Sequence, residues 1–163
     1  MPPVNCLFKQ PPLRFGNVLP YENQSASHVI GQSEVTVRSR MAQDWMFFGL
    51  AYLAVKHALA DFFLQTKYQY TNKGIYGHPG GLLHVLIHVA LSAPLLWILA
   101  PTAPYGALIL GAEFVVHYHC DWVKEKIVKR NGWSFTNNNY WRAMGIDQLV
   151  HGLTYLTMVR ALV

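Results

Sequence analysis

Eight side chains that could bind a metal occur in the sequence as four pairs with the same spacing. The two members of each pair lie four positions apart, which places them one turn above each other on a single helix face. Imidazole and carboxylate groups are ligands for zinc, iron and manganese, so this pattern indicates metal chemistry. The pairs are His57 with Asp61, His84 with His88, His117 with Asp121, and Asp147 with His151.

The segments that carry these pairs are apolar. The chain of 163 residues is 52% hydrophobic and only 13% charged, against a usual charged share of about 25%. Four apolar runs cover about 44–68, 80–100, 104–128 and 140–163. Each reaches the ~20 residues with which a helix crosses ~30 Å of hydrocarbon. We therefore predict an all-α fold, a four-helix transmembrane bundle in residues 44–163 with the lipid bilayer as its partner.

Residues 1–43 have a different composition. They hold five of the nine prolines and show no apolar periodicity, so we predict a disordered polar extension. Met41 begins MAQDWMFFGL, which is typical of a natural start. A hypothesis follows that the extension is dispensable or not native.

Basic residues lie at the ends of the apolar runs. The net charge is +5 and the pI about 9.3, but Lys and Arg do not follow one polar face as in nucleic-acid-binding proteins, and we predict no nucleic-acid partner. The positive-inside rule instead predicts a multi-pass protein of the inner membrane, with two basic loops in the cytoplasm and both termini outside. The basic residues of those loops are Lys67, Lys73, Lys124, Lys126, Lys129, Arg130 and Arg142.

The four pairs share one depth in this topology. Runs one and three travel toward the cytoplasm and carry their pairs near the end, whereas runs two and four carry theirs near the beginning. All pairs therefore lie near the cytoplasmic face. Eight ligands exceed one tetrahedral shell, so we predict one or two divalent ions, with zinc first and iron or manganese next. The same faces continue to Gln65, Ser92, Glu113 and Tyr155, and we expect Lys56 to pair with Glu113.

A metal at this place favours a hydrolase, because metal-bound water becomes a nucleophile near neutral pH. The substrate would be a lipid or phosphate ester that approaches from the cytoplasmic leaflet. We expect Asp61 or Asp147 to act as the base and Gln65 or Gln148 to position the substrate.

Three other interpretations use the same residues. A bis-histidine haem protein would use pairs from the histidines farther from the cytoplasmic face, His57, His88, His117 and His151, but leave the aspartates without a role. A metal-ion carrier or sensor would need the same ligands. Without any metal, the pairs would be hydrogen-bonded contacts between helices. His78 and His119 lie off the paired faces, and Cys120 is predicted to pack against neighbours. The oligomeric state stays open.

Four ordered blocks resemble a known family. The blocks HALADFFLQ, GLLHVLIH, HYHCDWVK and DQLVH, within about residues 47–155, are similar to small integral-membrane proteins of bacteria and phages grouped as a domain of unknown function. More distantly, the arrangement resembles membrane-bound metal-dependent hydrolases. The first resemblance implies a membrane-embedded helical fold, and the second implies a metal. HYHCD departs from the first pattern, which more often has one histidine before the acid, and His119 is the extra one.

Overall fold

The computed structural model describes residues 22–100 and 102–163, with side chains from residue 32 onward. Within these ranges every regular element is a helix, which confirms the all-α class. A π-helical turn, Ala60–Leu64, directly follows the first helix. The α-helices are α1 Glu22–Leu59, α2 Lys67–Asn72, α3 Pro79–Leu99, α4 Ala103–Arg130 and α5 Asn138–Leu162.

The first helix begins earlier than the sequence predicts. Residues 22–43, predicted as disordered, belong to α1, while residues 1–21 lie outside the described ranges. The reason is visible in the sequence, because all five prolines of the extension precede Glu22 and nothing after them prevents a helix from extending backwards. The chain divides after Ser39 into two compact units, close to Met41. The description below concerns residues 40–163.

The first predicted membrane segment, residues 44–68, is not one continuous helix. The π turn ends at Leu64, and Gln65 has extended backbone angles. Thr66 then starts α2 with a capping box, in which the Gln69 side chain accepts from the Thr66 backbone N–H at 2.7 Å. The sequence pattern Thr-x-x-Gln is the usual signal for such a start. The prediction of one segment through residue 68 rested on apolar composition and did not take this pattern into account.

The other three helices agree with the predicted bounds to within a few residues. Each begins at a residue whose side chain accepts from a backbone N–H of the first turn: His78 for α3, Thr102 for α4 and Asn137 for α5. Such caps satisfy donors that the helix itself leaves unpaired. Pro79 occupies the first turn of α3, where its missing N–H costs nothing.

Two glycines bring α2 directly against the start of α3. A Cβ atom on Gly80 would lie 2.7 Å from the Tyr68 carbonyl oxygen, and one on Gly81 would lie 3.2 Å from Lys73 Cα. A larger residue would force the backbones apart. This contact places Lys73, the residue that directly follows α2, in a buried position beside the interior of the bundle.

The interior of residues 40–163 has an apolar layer and a polar layer. The apolar layer joins four helices through buried side chains of Leu53, Leu95, Leu96, Ile109, Tyr155, Met158 and Val159. The polar layer is at least as large, and its buried members on these helices are Lys56, His57, His84, His88, Ser92, Glu113, His117, Asp121, Lys124, Asp147 and His151. Polar side chains fill much of the space that apolar ones fill in a water-soluble bundle.

The exterior is correspondingly apolar. Trp97, Phe63 and Phe62 are 90%, 77% and 73% exposed. Two helical segments of the described chain, Gln32–Leu64 and Pro79–Leu99, are long and apolar enough to cross a membrane. Length and composition alone therefore support two of the four predicted spans. α4 and α5 are not among these two segments.

Candidate metal centre

The four predicted pairs meet in one cluster. α1 with its π turn, α3, α4 and α5 each contribute two residues, and the structure brings all eight predicted ligands together. Seven of them are buried, and Asp61 keeps a side-chain exposure of 14%. The polar layer described above is built around this cluster.

Asp61 lies within the π turn and faces three histidines. Its Oδ1 atom is 3.1 Å from His88 Nε2 and 3.3 Å from His84 Nε2, while Oδ2 is 3.2 Å from His57 Nε2. π turns occur frequently at functional sites, where the extra residue redirects a side chain. Asp61 thus joins the first helix to both histidines of α3.

Asp121 occupies a similar place on α4. Its Oδ2 atom lies 3.1 Å from His84 Nε2 and 3.7 Å from His117 Nε2, and Oδ1 lies 3.7 Å from His151 Nε2. The Lys73 ammonium is 3.4 Å from Oδ2. The two oxygens of one carboxylate therefore face histidines of three helices.

Asp147 of α5 contacts side chains of α4 as well as its own helix. Its Oδ1 atom is 3.5 Å from both His151 Nε2 and Cys120 Sγ, and its Oδ2 atom is 3.8 Å from Lys124 Nζ. Gln148 Nε2 donates to Oδ2 at 3.4 Å. Cys120 was predicted to pack elsewhere, but its thiol contacts this carboxylate.

His57 differs from the other histidines because hydrogen bonds occupy both of its ring nitrogens. The Gln148 carbonyl oxygen, which can only accept, lies 3.1 Å from Nε2, and the Tyr155 hydroxyl lies 2.8 Å from Nδ1. The proton therefore sits on Nε2, and Nδ1 accepts from Tyr155. This arrangement favours a role in orienting Asp61 over the predicted role as a metal ligand.

The remaining seven residues and Cys120 form three overlapping groups with ligand geometry. Within each group one ligand atom per residue lies within 4.8 Å of every other. Shared histidines link the groups, His117 between the first two and His151 between the last two. The groups are Asp61 with His84, His88 and His117; His117 with Asp121 and His151; and Cys120 with Asp147 and His151.

Several buried imidazole nitrogens in the cluster make no hydrogen bond within the described part of the chain. These include both nitrogens of His117 and Nε2 of His84 and His151. His84 Nε2 lies close to two carboxylates, yet neither contact has hydrogen-bond geometry. A buried polar atom without a partner costs about 1–3 kcal/mol. His88 Nε2 does form a hydrogen bond with Asp61 Oδ1 at 3.1 Å, so the cluster is partly paired and several of its nitrogens are left without a partner.

A buried ion pair separates the cluster from the apolar layer. The Lys56 ammonium pairs with Glu113 Oε1 and also donates to the His88 carbonyl oxygen at 3.3 Å. Ser92 donates to the same Glu113 oxygen at 2.9 Å. The expected pairing of Lys56 with Glu113 is confirmed, and it closes the cluster on the side of the apolar core.

Sequence reasoning missed two lysines of the site. Lys124 had a readable signal, because it follows Asp121 by three positions and therefore continues the His117 face of α4. Lys73 had none, since its place depends on the packing of α2 against the two glycines of α3. Both had been read only as basic loop residues.

A polar cavity of about 200 Å³ opens onto the cluster. Asp61 and Asp147 line it together with Lys73 and Lys124. Gln65, predicted to position a substrate, also lines this cavity. Gln148 was predicted for the same task, but its side-chain amide forms hydrogen bonds with His57 and Asp147.

The chain belongs to the family described as Protein of unknown function (DUF3307), whose model matches residues 50–163. This confirms the predicted membership in a family of unknown function. No curated protein matches the sequence, and no solved structure matches the fold. The matched region contains every residue of the cluster.

Proposed function

We propose that this member of the DUF3307 family is an integral membrane metalloprotein that hydrolyses a phosphate ester of a lipid or other amphiphile. The observation that carries the proposal is the convergence of ligand atoms from four helices, with buried imidazole nitrogens that have no hydrogen-bond partner. Contacts that merely joined helices would pair these atoms with each other. One or two divalent ions would give several of these atoms, one nitrogen of each imidazole ring, the partner that they lack.

The donor set suits a transition metal. Three histidines and one aspartate in the first group are ligands that zinc, iron and manganese accept, and the thiol of the third group favours zinc. Because His117 and His151 each belong to two of the groups, the residues of the cluster could hold a second ion, to which Asp121 would contribute its carboxylate. We propose one or two ions, zinc before iron or manganese.

Membrane insertion is supported by the inverted distribution of side chains. Charged groups fill the interior, while large apolar side chains such as Trp97 and Phe63 cover the outside. In lipid this arrangement is favourable, and in water it would leave a large apolar surface exposed. We propose that α1, α3, α4 and α5 all span the inner membrane, with the cluster near the cytoplasmic face and both termini outside.

A bound metal would supply an activated water and polarise the phosphate. The residues of the chain then divide the remaining tasks. Asp61 and Asp147 line the polar cavity, where either carboxylate can take a proton from the attacking water. Water adds to phosphorus, the bond to the alcohol oxygen breaks, and the same carboxylate returns its proton to that oxygen. Lys73 and Lys124 attract the anionic substrate to the cavity.

The structure favours a hydrolase over a metal-ion carrier. An ion released toward the outer side would have to pass the Lys56–Glu113 pair and then the buried side chains of Leu53, Leu95 and Val159. The ring centroid of His117 lies only 4.0 Å from that of His88 and 4.1 Å from that of His151. A haem does not fit between rings in contact.

The test is elemental analysis of the detergent-purified protein, followed by activity assays with the metal that is found. We expect about one or two zinc, iron or manganese ions per chain and hydrolysis of phosphomonoester or phosphodiester substrates. Metal-loaded protein that cleaves none of these, but responds to metal by a conformational change, would indicate a sensor. Protein that contains no metal and takes up none would leave the polar layer as a purely structural feature.

A further inference from the structure

A second, larger cavity reaches the cluster from the side of the bundle. It lies between α4 and α5 and has a volume of about 800 Å³. Most of its wall is aliphatic, and the side chains that give it this character are Val115, Val116, Val123, Ile127, Ile146 and Val150. This α4–α5 groove opens on the outer surface of the bundle, where the proposed membrane would surround it.

The accessible surface of the groove is almost entirely apolar, but charged residues are among those that border it. Lys124 and Arg142 belong to its wall, and so do Cys120 and Asp147 of the cluster. The Lys124 ammonium is 3.8 Å from Asp147 Oδ2, and Cys120 Sγ is 3.5 Å from Asp147 Oδ1. The groove thus ends at the same carboxylate that borders the metal centre.

Lys124 and Asp147 also line the smaller polar cavity. The site is therefore bordered by two cavities of opposite character that share two residues. A polar ligand from water fits the small cavity, whereas the groove fits a hydrocarbon chain. A molecule that uses both must carry an apolar chain next to an anionic group.

Another apolar cavity shows that this combination is specific. A cavity of about 450 Å³ between α3 and α4 is lined by Ala93, Leu96, Trp97 and other uncharged residues. No charged side chain borders it. Of these two apolar cavities, the α4–α5 groove is the one that adds cations and contact with the cluster.

We propose that the α4–α5 groove binds an anionic phospholipid, with an acyl chain along its aliphatic wall and the phosphate between Lys124 and Arg142. The phosphate then lies beside Asp147, at the border of the metal centre. This assignment rests on the proposed function for its catalytic meaning, but the binding itself does not need a metal. Lateral entry from the lipid explains why the groove opens sideways.

The position of Arg142 makes it the specificity residue. Its side chain is exposed and donates to Asn139 Oδ1 at 3.2 Å, and both residues belong to the groove. Lys124 is buried and also pairs with Glu125 at 3.0 Å, so its charge is partly balanced. Arg142 is therefore the cation that is free to pair with a phosphate in a bidentate manner.

The experiment uses phosphatidic acid with a photoreactive group on its acyl chain and the full-length protein in detergent micelles. Labelling is measured with and without metal, and the labelled peptides are mapped. We expect crosslinks in α4 and α5, competition by unlabelled phosphatidic acid, and weak competition by phosphatidylcholine. Ala143→Trp, which fills the groove, should reduce labelling by about tenfold, as the loss of about two buried methylenes would.

Ala107→Trp is the matched control, because Ala107 lines the uncharged cavity. It should leave labelling unchanged. Arg142→Ala should abolish the preference for phosphatidic acid over phosphatidylcholine, and Arg142→Lys should keep part of it. If Ala143→Trp fails to fold, competition between the two lipids on the unaltered protein decides the question.

Lipid binding in the α4–α5 groove and hydrolytic activity can be contradicted independently of each other. Crosslinks confined to α4 and α5, in protein without metal or activity, would support lipid binding in the α4–α5 groove and contradict the proposed hydrolase. Crosslinks spread evenly over all helices, with no preference for phosphatidic acid, would overturn the groove even if soluble phosphate esters were hydrolysed.

Discussion

The rings of His88 and His117, which come from α3 and α4, lie with their centroids 4.0 Å apart in the most buried part of the cluster. Neither nitrogen of His117 has a hydrogen-bond partner in the described chain, and His88 Nδ1 has none either. Each of these buried nitrogens without a partner costs about 1–3 kcal/mol unless something else binds it. This relationship makes His117 the most informative residue to change.

His117→Ala should remove most of the bound metal, because His117 belongs to two of the three ligand groups. Loss of one zinc ligand or of a residue that orients it typically weakens metal binding by 10-fold to 100-fold or more, as an order of magnitude. The measurement is elemental analysis after dialysis against a weak chelator. His119→Ala is the control, since His119 is exposed on the same helix. Equal metal content in both variants would contradict the site.

Cys120→Ala should affect only one part of the cluster. The thiol belongs to the third group, with Asp147 and His151, and to neither of the others. In protein loaded with cobalt we expect the variant to lose the absorption that thiolate ligands cause and to keep the remaining ion. Cys6→Ala serves as the control. If the thiolate band persists in Cys120→Ala, this group does not bind the metal.

Lys56→Met should destabilise the bundle strongly, because it leaves Glu113 buried without its cation. Removing one partner of a buried pair costs about 3–5 kcal/mol, and the side chains of Lys56 and Glu113 are 3% and 0% exposed. The double variant Lys56→Met/Glu113→Leu should recover much of the loss. Denaturant unfolding in detergent measures both, and additive losses would show that the two residues do not depend on each other.

Gly80→Ala tests how α2 is held on α3. The added Cβ would meet the Tyr68 carbonyl oxygen at 2.7 Å, so α2 must shift and withdraw Lys73 from Asp121. We expect a lower midpoint of thermal unfolding and a weaker effect of Lys73→Met in this background. Gly145→Ala, where nothing lies within 4 Å of the new atom, should be neutral or should stabilise α5 by up to about 1 kcal/mol. Similar midpoints for both variants would mean that the close approach is unimportant.

The proposed orientation can be tested at Ser134, an exposed residue between α4 and α5. The test needs a Cys6→Ala/Cys120→Ala background, because Cys6 would itself lie outside in this topology. In that background we expect Ser134→Cys to react with a membrane-impermeant maleimide only after cells are permeabilised, because the positive-inside rule places this loop in the cytoplasm. A cysteine after Val163 should react in intact cells. The reverse pattern would invert the topology, and reaction of neither before or after permeabilisation would point to burial of the loops.

The sequence predicted much of the site because helical spacing is a local property. The four i, i+4 pairs and the depth argument were sufficient to place His84, His117, Asp121 and Asp147 on converging faces. Contacts that depend on packing between distant segments were not readable. Lys73 reaches Asp121 only because Gly80 and Gly81 admit α2.

The errors have local causes as well. An unbroken helix through residue 68 was expected because apolar composition continues past Leu64, although the backbone turns at Gln65. The thiol of Cys120 was assigned to packing because it is one position from Asp121. The carboxylate it meets is Asp147, which comes from another helix. Which group such a side chain contacts depends on the packing of one helix against another.

The π turn that holds Asp61 also makes this part of the chain sensitive to length. A π turn contains one residue more than an α-helical turn would need, and each residue of an α-helix rotates the chain by about 100°. Deleting Phe62 would remove the extra residue, let the segment relax into a regular helix and take from Asp61 the direction that the π turn gives it. Substituting Phe62, which is largely exposed and also borders the polar cavity, would keep this spacing. The spacing between Leu59 and Thr66 is therefore as much a part of the site as the chemistry of the residues within it.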